Sequence, residues 1–271
     1  MSLTSNRALG AFRGYAITHP VAAFLVVVLP SSWIVLSALH FARLPLEPGL
    51  LVLTYAGLVG LSSLITYWRD GRGGVRELFG GLLKWRVGLG YYLLSVCAIP
   101  ALTIAGAVVA HAMTLSDMQW SRAAIHFVSG ALIINLWEET GWTGFVQSNL
   151  MRARGVLKGS LLTAPAFVGI HLPLLLQQPN ASALLVSFLT LFGLAFFFRY
   201  LIGMLFVDTG GSLLIVGLLH ASFNASGSLG GEATAWASVV ATVVITVVFA
   251  TYKMIRRQPL MSGDLKERVA T

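Results

Sequence analysis

Long apolar segments separated by short polar stretches make up most of this chain. Eight such segments can be distinguished, at residues 21–41, 50–68, 88–110, 123–150, 159–176, 181–207, 212–229 and 233–252. Most of them approach or exceed the roughly 20 residues that a helix needs to cross the hydrocarbon core of a bilayer. The pattern therefore predicts an all-α fold, a polytopic membrane helix bundle with about eight transmembrane helices.

Residues 69–86 are too polar to cross a membrane, but their apolar side chains recur at helical spacing. These side chains, with basic residues between them, are Val75, Leu78, Phe79, Leu82 and Leu83. The spacing predicts an amphipathic helix that lies on the cytoplasmic leaflet. A plain basic loop is the alternative interpretation.

The charged residues also indicate a membrane location. Hydrophobic residues make up 56% of the chain and charged residues only 10%, against about 25% charged residues in soluble domains. If both termini are cytoplasmic, sixteen of the eighteen lysines and arginines lie on that side, including Arg199 in the sixth segment and Arg257, Lys266 and Arg268 near the C-terminus. This asymmetry is the positive-inside signal. We therefore expect one integral membrane domain over residues 1–271, in the plasma membrane of a bacterium, with membrane lipids and not nucleic acid around its basic loops.

Five polar side chains lie where an apolar segment should exclude them. Glu138 and Glu139 are the only carboxylates deep inside a segment, and His171 and His220 lie well inside the fifth and seventh. Asn224 follows His220 by four residues and shares its helix face. Because such groups are costly in a bilayer and usually functional, we predict that they form one site.

The depth of these groups along their helices supports a common layer. Glu138, His171 and His220 lie 14, 13 and 12 residues from the charged residue at the cytoplasmic end of their segments. At about 1.5 Å per residue, the depths are roughly 21, 20 and 18 Å. Three polar groups on three helices are thus predicted to meet.

A carboxylate and two imidazoles in an apolar cavity suit the activation of water. In one interpretation Glu138 is the general base, while histidine and asparagine donate hydrogen bonds to an oxyanion. In the other, Glu138, His171 and His220 hold a divalent metal ion such as zinc, as in a metalloprotease. The residue types alone leave both interpretations open.

Three short motifs carry these residues in order along the chain: EETGWTG at 138–144, FVGIH at 167–171 and HASFN at 220–224. Together they resemble the signature of the CPBP family of intramembrane proteases (CAAX proteases and bacteriocin-processing enzymes, also called Abi). That signature consists of EExxxR, FxxxH and HxxxN/D segments on successive membrane helices. The resemblance covers about residues 120–230, which would form the catalytic core.

The resemblance implies an intramembrane endopeptidase that hydrolyses a peptide bond in a membrane protein or peptide, lipidated or not, as in CAAX-box protein processing. Glu138 would activate the water, His171 would assist, and His220 with Asn224 would stabilise the oxyanion. Glu139 would be the supporting second acid. The alternatives are an inactive relative that acts in bacteriocin self-immunity or partner binding, and an ion-coupled transporter that uses the glutamate pair.

One position departs from the family pattern. Thr143 occupies the place of the motif arginine, four residues after Glu139, where an arginine would pair with that acid. Three outcomes are open: Glu139 is protonated, another cation such as Arg199 replaces the arginine, or activity is weakened or lost. We also predict that the substitution Thr143→Arg is tolerated.

Overall fold

The computed structural model describes residues 3–256, and all regular secondary structure in that range is helical. Apart from a short 3-10 turn at Leu115–Asp117, the helical stretches are α1 (Leu3–Thr18), α2 (Pro20–Phe41), α3 (Glu47–Leu83), α4 (Leu89–Val109), α5 (residues 120–154), α6 (Val156–Gln177), α7 (Ala181–Asp208), α8 (Leu213–Gly227) and α9 (Glu232–Ile255). The predicted all-α fold is confirmed. Arg257, Lys266 and Arg268, which entered the charge count, lie outside the described residues.

Six of the described helices are long and apolar enough to cross a membrane, namely α2, α3, α4, α6, α7 and α9. The other two predicted spans are also helical. Helix α8 has only 15 residues, which is shorter than the hydrocarbon core requires. Helix α5 contains π-helical segments and carries the two glutamates. The chain is therefore an integral membrane protein with a polytopic helix bundle, while the count of eight crossings stays a prediction.

The predicted amphipathic segment is a helix that continues the second span after a kink at Gly71. Gly71 has φ +69°, a left-handed conformation that favours glycine. Beyond the kink Leu78 is buried, and a Cβ added to Gly81 would lie 2.9 Å from the carbonyl oxygen of Gly211. The loop interpretation is wrong, and part of the helix's apolar face packs on the bundle itself. Its position on the cytoplasmic leaflet stays a prediction.

Helix α5 is wound more widely before and after the two glutamates. Gly130–Asn135 and Thr140–Gln147 are π-helical, and Leu136–Glu139 form one α-turn between them. Such π segments often occur at functional sites. Tyr55 on α3 donates a hydrogen bond to the carbonyl of Ile133 in the first π segment, at 2.8 Å, which fixes that segment against its neighbour.

Helix α6 tightens into a 3-10 helix over Leu172–Gln177, directly after His171. Pro173 has no N–H, so the carbonyl of Gly169, four residues earlier, lacks its usual α-helical donor and accepts instead from the backbone N–H of Leu172. Trp33 Nε1 on α2 donates to that carbonyl at 2.7 Å. The neighbouring Ser32 donates to the carbonyl of Ile170, also at 2.7 Å. Helix α2 thereby holds the end of α6 that carries His171.

Candidate active site

Glu139 forms an ion pair with Arg199 in the interior of the bundle. Both side chains have no exposed surface. Arg199 Nη1 donates to the two carboxylate oxygens of Glu139 at 3.0 and 3.1 Å. Arg199 comes from the middle of α7, so the pair links α5 to α7. Hydrogen-bonded pairs of this kind are strong because neither charge is left without a partner.

The remaining donors of Arg199 are also satisfied by α5. Nη2 donates to Thr143 Oγ1 at 2.7 Å, and Nε donates to Gln147 Oε1 at 2.8 Å. Thr143 in turn donates to Glu139. Gln147 Nε2 donates to the carbonyl of Arg199 at 2.8 Å and to Ser160 Oγ at 2.9 Å. Three α5 side chains, from Glu139 to Gln147, therefore enclose one guanidinium.

This geometry supports one of the three outcomes that Thr143 left open, in which Arg199 replaces the motif arginine. Arg199 supplies the cation that the motif arginine would otherwise provide, and it approaches Glu139 from another helix. The structure also corrects the charge count, because Arg199 lies in the interior and not in a cytoplasmic loop. The cytoplasmic cations counted from the sequence thus number fifteen, and the asymmetry remains.

His220 on α8 is held by the same carboxylate. Its Nδ1 lies 2.9 Å from Glu139 Oε1 and 3.9 Å from Glu138 Oε2. A carboxylate only accepts hydrogen bonds, so Nδ1 carries the proton and Nε2 is the free nitrogen. Glu139 therefore fixes both the tautomer and the orientation of the ring, and the predicted meeting of α5 with α8 is confirmed.

Glu138 has a different environment from its neighbour. Its side chain is 16% exposed, and its described hydrogen bond is a long one of 3.4 Å, in which Asn135 Nδ2 donates to Oε2. Asn135 also accepts a hydrogen bond of 3.4 Å from Asn224 Nδ2. The predicted Asn224 thus joins the site through a buried residue that the sequence analysis missed. Its signal was a lone amide three residues before Glu138 in an apolar segment.

His171 lies beside this group without contacting a carboxylate. Its Nδ1 donates to the carbonyl of Phe167 at 2.6 Å, which leaves Nε2 free. The ring of Phe167 lies 4.7 Å from the ring of His171 and 6.0 Å from that of His220. Its centroid also lies 5.2 Å from the guanidinium carbon of Arg199. The structure therefore brings His171 to the predicted layer, one aromatic ring away from His220.

The three residues considered as metal ligands are not arranged as a ligand set. Over residues 3–256 no group of three histidine, cysteine, aspartate or glutamate side chains is placed to hold a metal ion. The ring of Phe167 packs near both His171 and His220, and Glu138 Oε2 lies 3.9 Å from His220 Nδ1, the protonated nitrogen. The arrangement does offer a partly exposed carboxylate and two imidazoles with free Nε2 atoms, which is a set suited to proton transfer and hydrogen bonding.

Residues 119–226 match the family model described as Rce1-like, Type II CAAX prenyl endopeptidase. No curated protein matches the chain. The matched range contains all five predicted site residues together with Asn135, Thr143, Gln147 and Arg199. The segment that builds the site is therefore similar to the CAAX prenyl endopeptidases, in agreement with the resemblance of its three motifs to the CPBP family.

Proposed function

We propose that this protein is an intramembrane endopeptidase in which Glu138 activates the attacking water. The observation that carries the proposal is the contrast between two adjacent glutamates. Glu139 is fully buried, and its carboxylate accepts hydrogen bonds from Arg199, Thr143 and His220. Its lone pairs are therefore already used and cannot bind a water molecule. Glu138 is partly exposed and has one long hydrogen bond, which leaves its carboxylate available as a general base.

The chemical step uses the remaining groups. Glu138 takes a proton from water as the water oxygen attacks the peptide carbonyl carbon. The oxyanion that forms is stabilised by the side-chain amide of Asn224, which donates from the turn of α8 next to His220. Collapse breaks the C–N bond, and Glu138 returns the proton to the leaving amine. His171, with its free Nε2 beside the site, assists by positioning the water.

Glu139 acts in this scheme as a positioning residue. Its ion pair with Arg199 fixes the carboxylate, and the carboxylate fixes His220 with Nε2 directed away from it. Arg199 therefore takes over the task of the family's motif arginine.

No step is assigned to a metal ion. In the alternative mechanism a divalent ion such as zinc supplies the activated water. Treatment of the purified protein with a chelator distinguishes this mechanism from the glutamate mechanism. Cleavage that survives metal removal supports the glutamate mechanism, and loss of cleavage that zinc restores supports the metal mechanism.

We further propose a membrane protein or peptide as substrate, with a lipidated C-terminus as the first to test, because the family model is that of a CAAX prenyl endopeptidase. We expect the protein in the plasma membrane of a bacterium with both termini in the cytoplasm. The positive-inside asymmetry supports this orientation.

The proposal is tested by peptide cleavage with the purified full-length protein. Glu138→Gln and His220→Ala should abolish cleavage, while Asp117→Asn, which changes an acid outside the site, should leave it unchanged. Equal cleavage by the wild type and both site variants would contradict the proposal that the protein is an endopeptidase using this site. A folded wild type without cleavage would instead favour the non-catalytic immunity or partner-binding relative, and ion flux lost with Glu138→Gln would favour the transporter.

A further inference from the structure

A polar cavity of about 360 Å³ lies between the amphipathic helix after Gly71 and the end of α5. None of the five predicted site residues lines this cavity. Its charged and amide lining residues are Arg69, Lys84, Arg152, Asp70, Glu77 and Asn149. The cavity is thus a second site with a chemistry of its own, at the end of the bundle where the basic clusters lie.

Two guanidinium groups converge on one neutral oxygen in this cavity. Arg69 Nη1 and Arg152 Nη2 both donate to Asn149 Oδ1, at 2.8 and 3.2 Å. The charge of Arg69 is balanced by Asp70, 2.7 Å away. Arg152 forms no ion pair with another residue in the described part of the chain. Arg152 is exposed to solvent, so its positive charge is open to an anion that enters the cavity.

A third cation comes from the far end of the amphipathic helix. Lys84 Nζ donates to the carbonyl of Gly210 in the turn between α7 and α8. A Cβ on Gly211, which has φ +88°, would lie 3.4 Å from that ammonium group. The glycine turn therefore leaves room beside Nζ. With Asp70 already paired, Arg152 and Lys84 face a single remaining acid, Glu77.

The residues on either side of Lys84 are apolar and exposed. Leu83 is 79% and Trp85 60% exposed, and exposed apolar and aromatic side chains beside a cation are typical of the membrane interface. Basic pockets between helices at the cytoplasmic side of a membrane are known to bind lipid headgroups. We propose that this cavity binds a phosphate group, supplied by the headgroup of an anionic phospholipid.

The test measures lipid binding by the full-length protein. The purified protein is placed in nanodiscs of phosphatidylcholine with and without phosphatidylglycerol, and retained phosphatidylglycerol is counted by native mass spectrometry. Arg152→Gln should weaken retention about fivefold, since one cation near a membrane surface contributes about 1 kcal/mol. Arg152→Lys should retain binding. Arg154→Gln removes the same charge from the same helix outside the cavity and is the matched control.

Two results would overturn the proposal. One is equal retention of both lipids by the wild type, and the other is an equal loss of retained phosphatidylglycerol in Arg152→Gln and Arg154→Gln. If Arg152→Gln does not fold, Lys84→Gln takes its place with the same expectation. A parallel measurement of the unfolding temperature with inorganic phosphate distinguishes a lipid headgroup from a soluble ion as the source of the phosphate group. If phosphate raises the unfolding temperature of the wild type but not that of Arg152→Gln, the same site binds a soluble ligand. Protection by a substrate peptide instead of phosphate would reject a phosphate site.

Discussion

Arg199 Nη1 lies 3.0 Å from Glu139 Oε1, between two helices and without solvent contact. The two partners are 60 positions apart in the sequence, and the pair orders the site by holding the carboxylate that orients His220. Removing either partner would leave a charge buried and unpaired, a much larger penalty than the loss of an exposed ion pair.

The substitution Arg199→Gln should therefore destabilise the protein by about 3–5 kcal/mol and abolish cleavage. The glutamine cannot neutralise Glu139, and His220 loses its fixed orientation. The unfolding temperature in detergent and the cleavage rate measure the two effects. Arg154→Gln is the control, because Arg154 is exposed, and a similar loss in that variant would show that total charge matters and not the pair.

An arginine at the motif position should be able to replace Arg199 as the partner of Glu139. Thr143 is fully buried and already contacts Arg199, which speaks against tolerance of Thr143→Arg alone. We expect the single variant to be unstable, since it places two guanidinium groups beside one carboxylate. The double variant Thr143→Arg with Arg199→Gln should recover stability and cleavage relative to either single variant. Additive losses in this double-mutant cycle would contradict the exchange.

Trp33 should influence catalysis from outside the matched segment. Trp33→Phe removes the side-chain donor to the Gly169 carbonyl, which then keeps only the backbone N–H of Leu172. We expect a cost of about 1 kcal/mol and a lower kcat with little change in KM, because the end of α6 that carries His171 loosens. Trp85→Phe is the matched control, as Trp85 is largely exposed. Equal kcat in the two variants would exclude the positioning role.

The site residues could be predicted from the sequence because ionisable side chains are rare inside apolar segments. Glu138, Glu139, His171 and His220 were conspicuous for that reason, and a helical rise of fixed length placed them in one layer. Depth along the helix also made Arg199 a candidate partner. It could not establish the contact, because pairing between α5 and α7 depends on how the helices pack and on no local pattern.

Other features left little trace in the sequence. The π-helical winding of α5 and the helix α1 were not predicted, since neither alters the apolar pattern from which the spans were identified. Asn135 was missed because a single amide in an apolar segment is as common in helix–helix contacts as in active sites. The packing of Phe167 against both His171 and His220 depends on the tertiary arrangement of the rings, which no local pattern predicts.

Asn135 should act together with Asn224. The two amides are joined by a hydrogen bond, and Asn135 also donates to Glu138. Asn135→Ala and Asn224→Ala should each lower kcat, and the double variant should lose less than the product of the single effects, because both act on the same arrangement. Independent, multiplicative losses would indicate that the two amides serve separate purposes.

The division of tasks between the adjacent glutamates is tested most directly by comparing the peptide-cleavage rates and unfolding temperatures of Glu138→Gln and Glu139→Gln. We predict that Glu138→Gln unfolds at the wild-type temperature and does not cleave, because the partly exposed carboxylate serves chemistry. We predict that Glu139→Gln unfolds at a lower temperature, because Arg199 loses its buried partner. Cleavage at the wild-type rate by a folded Glu138→Gln protein would contradict the account.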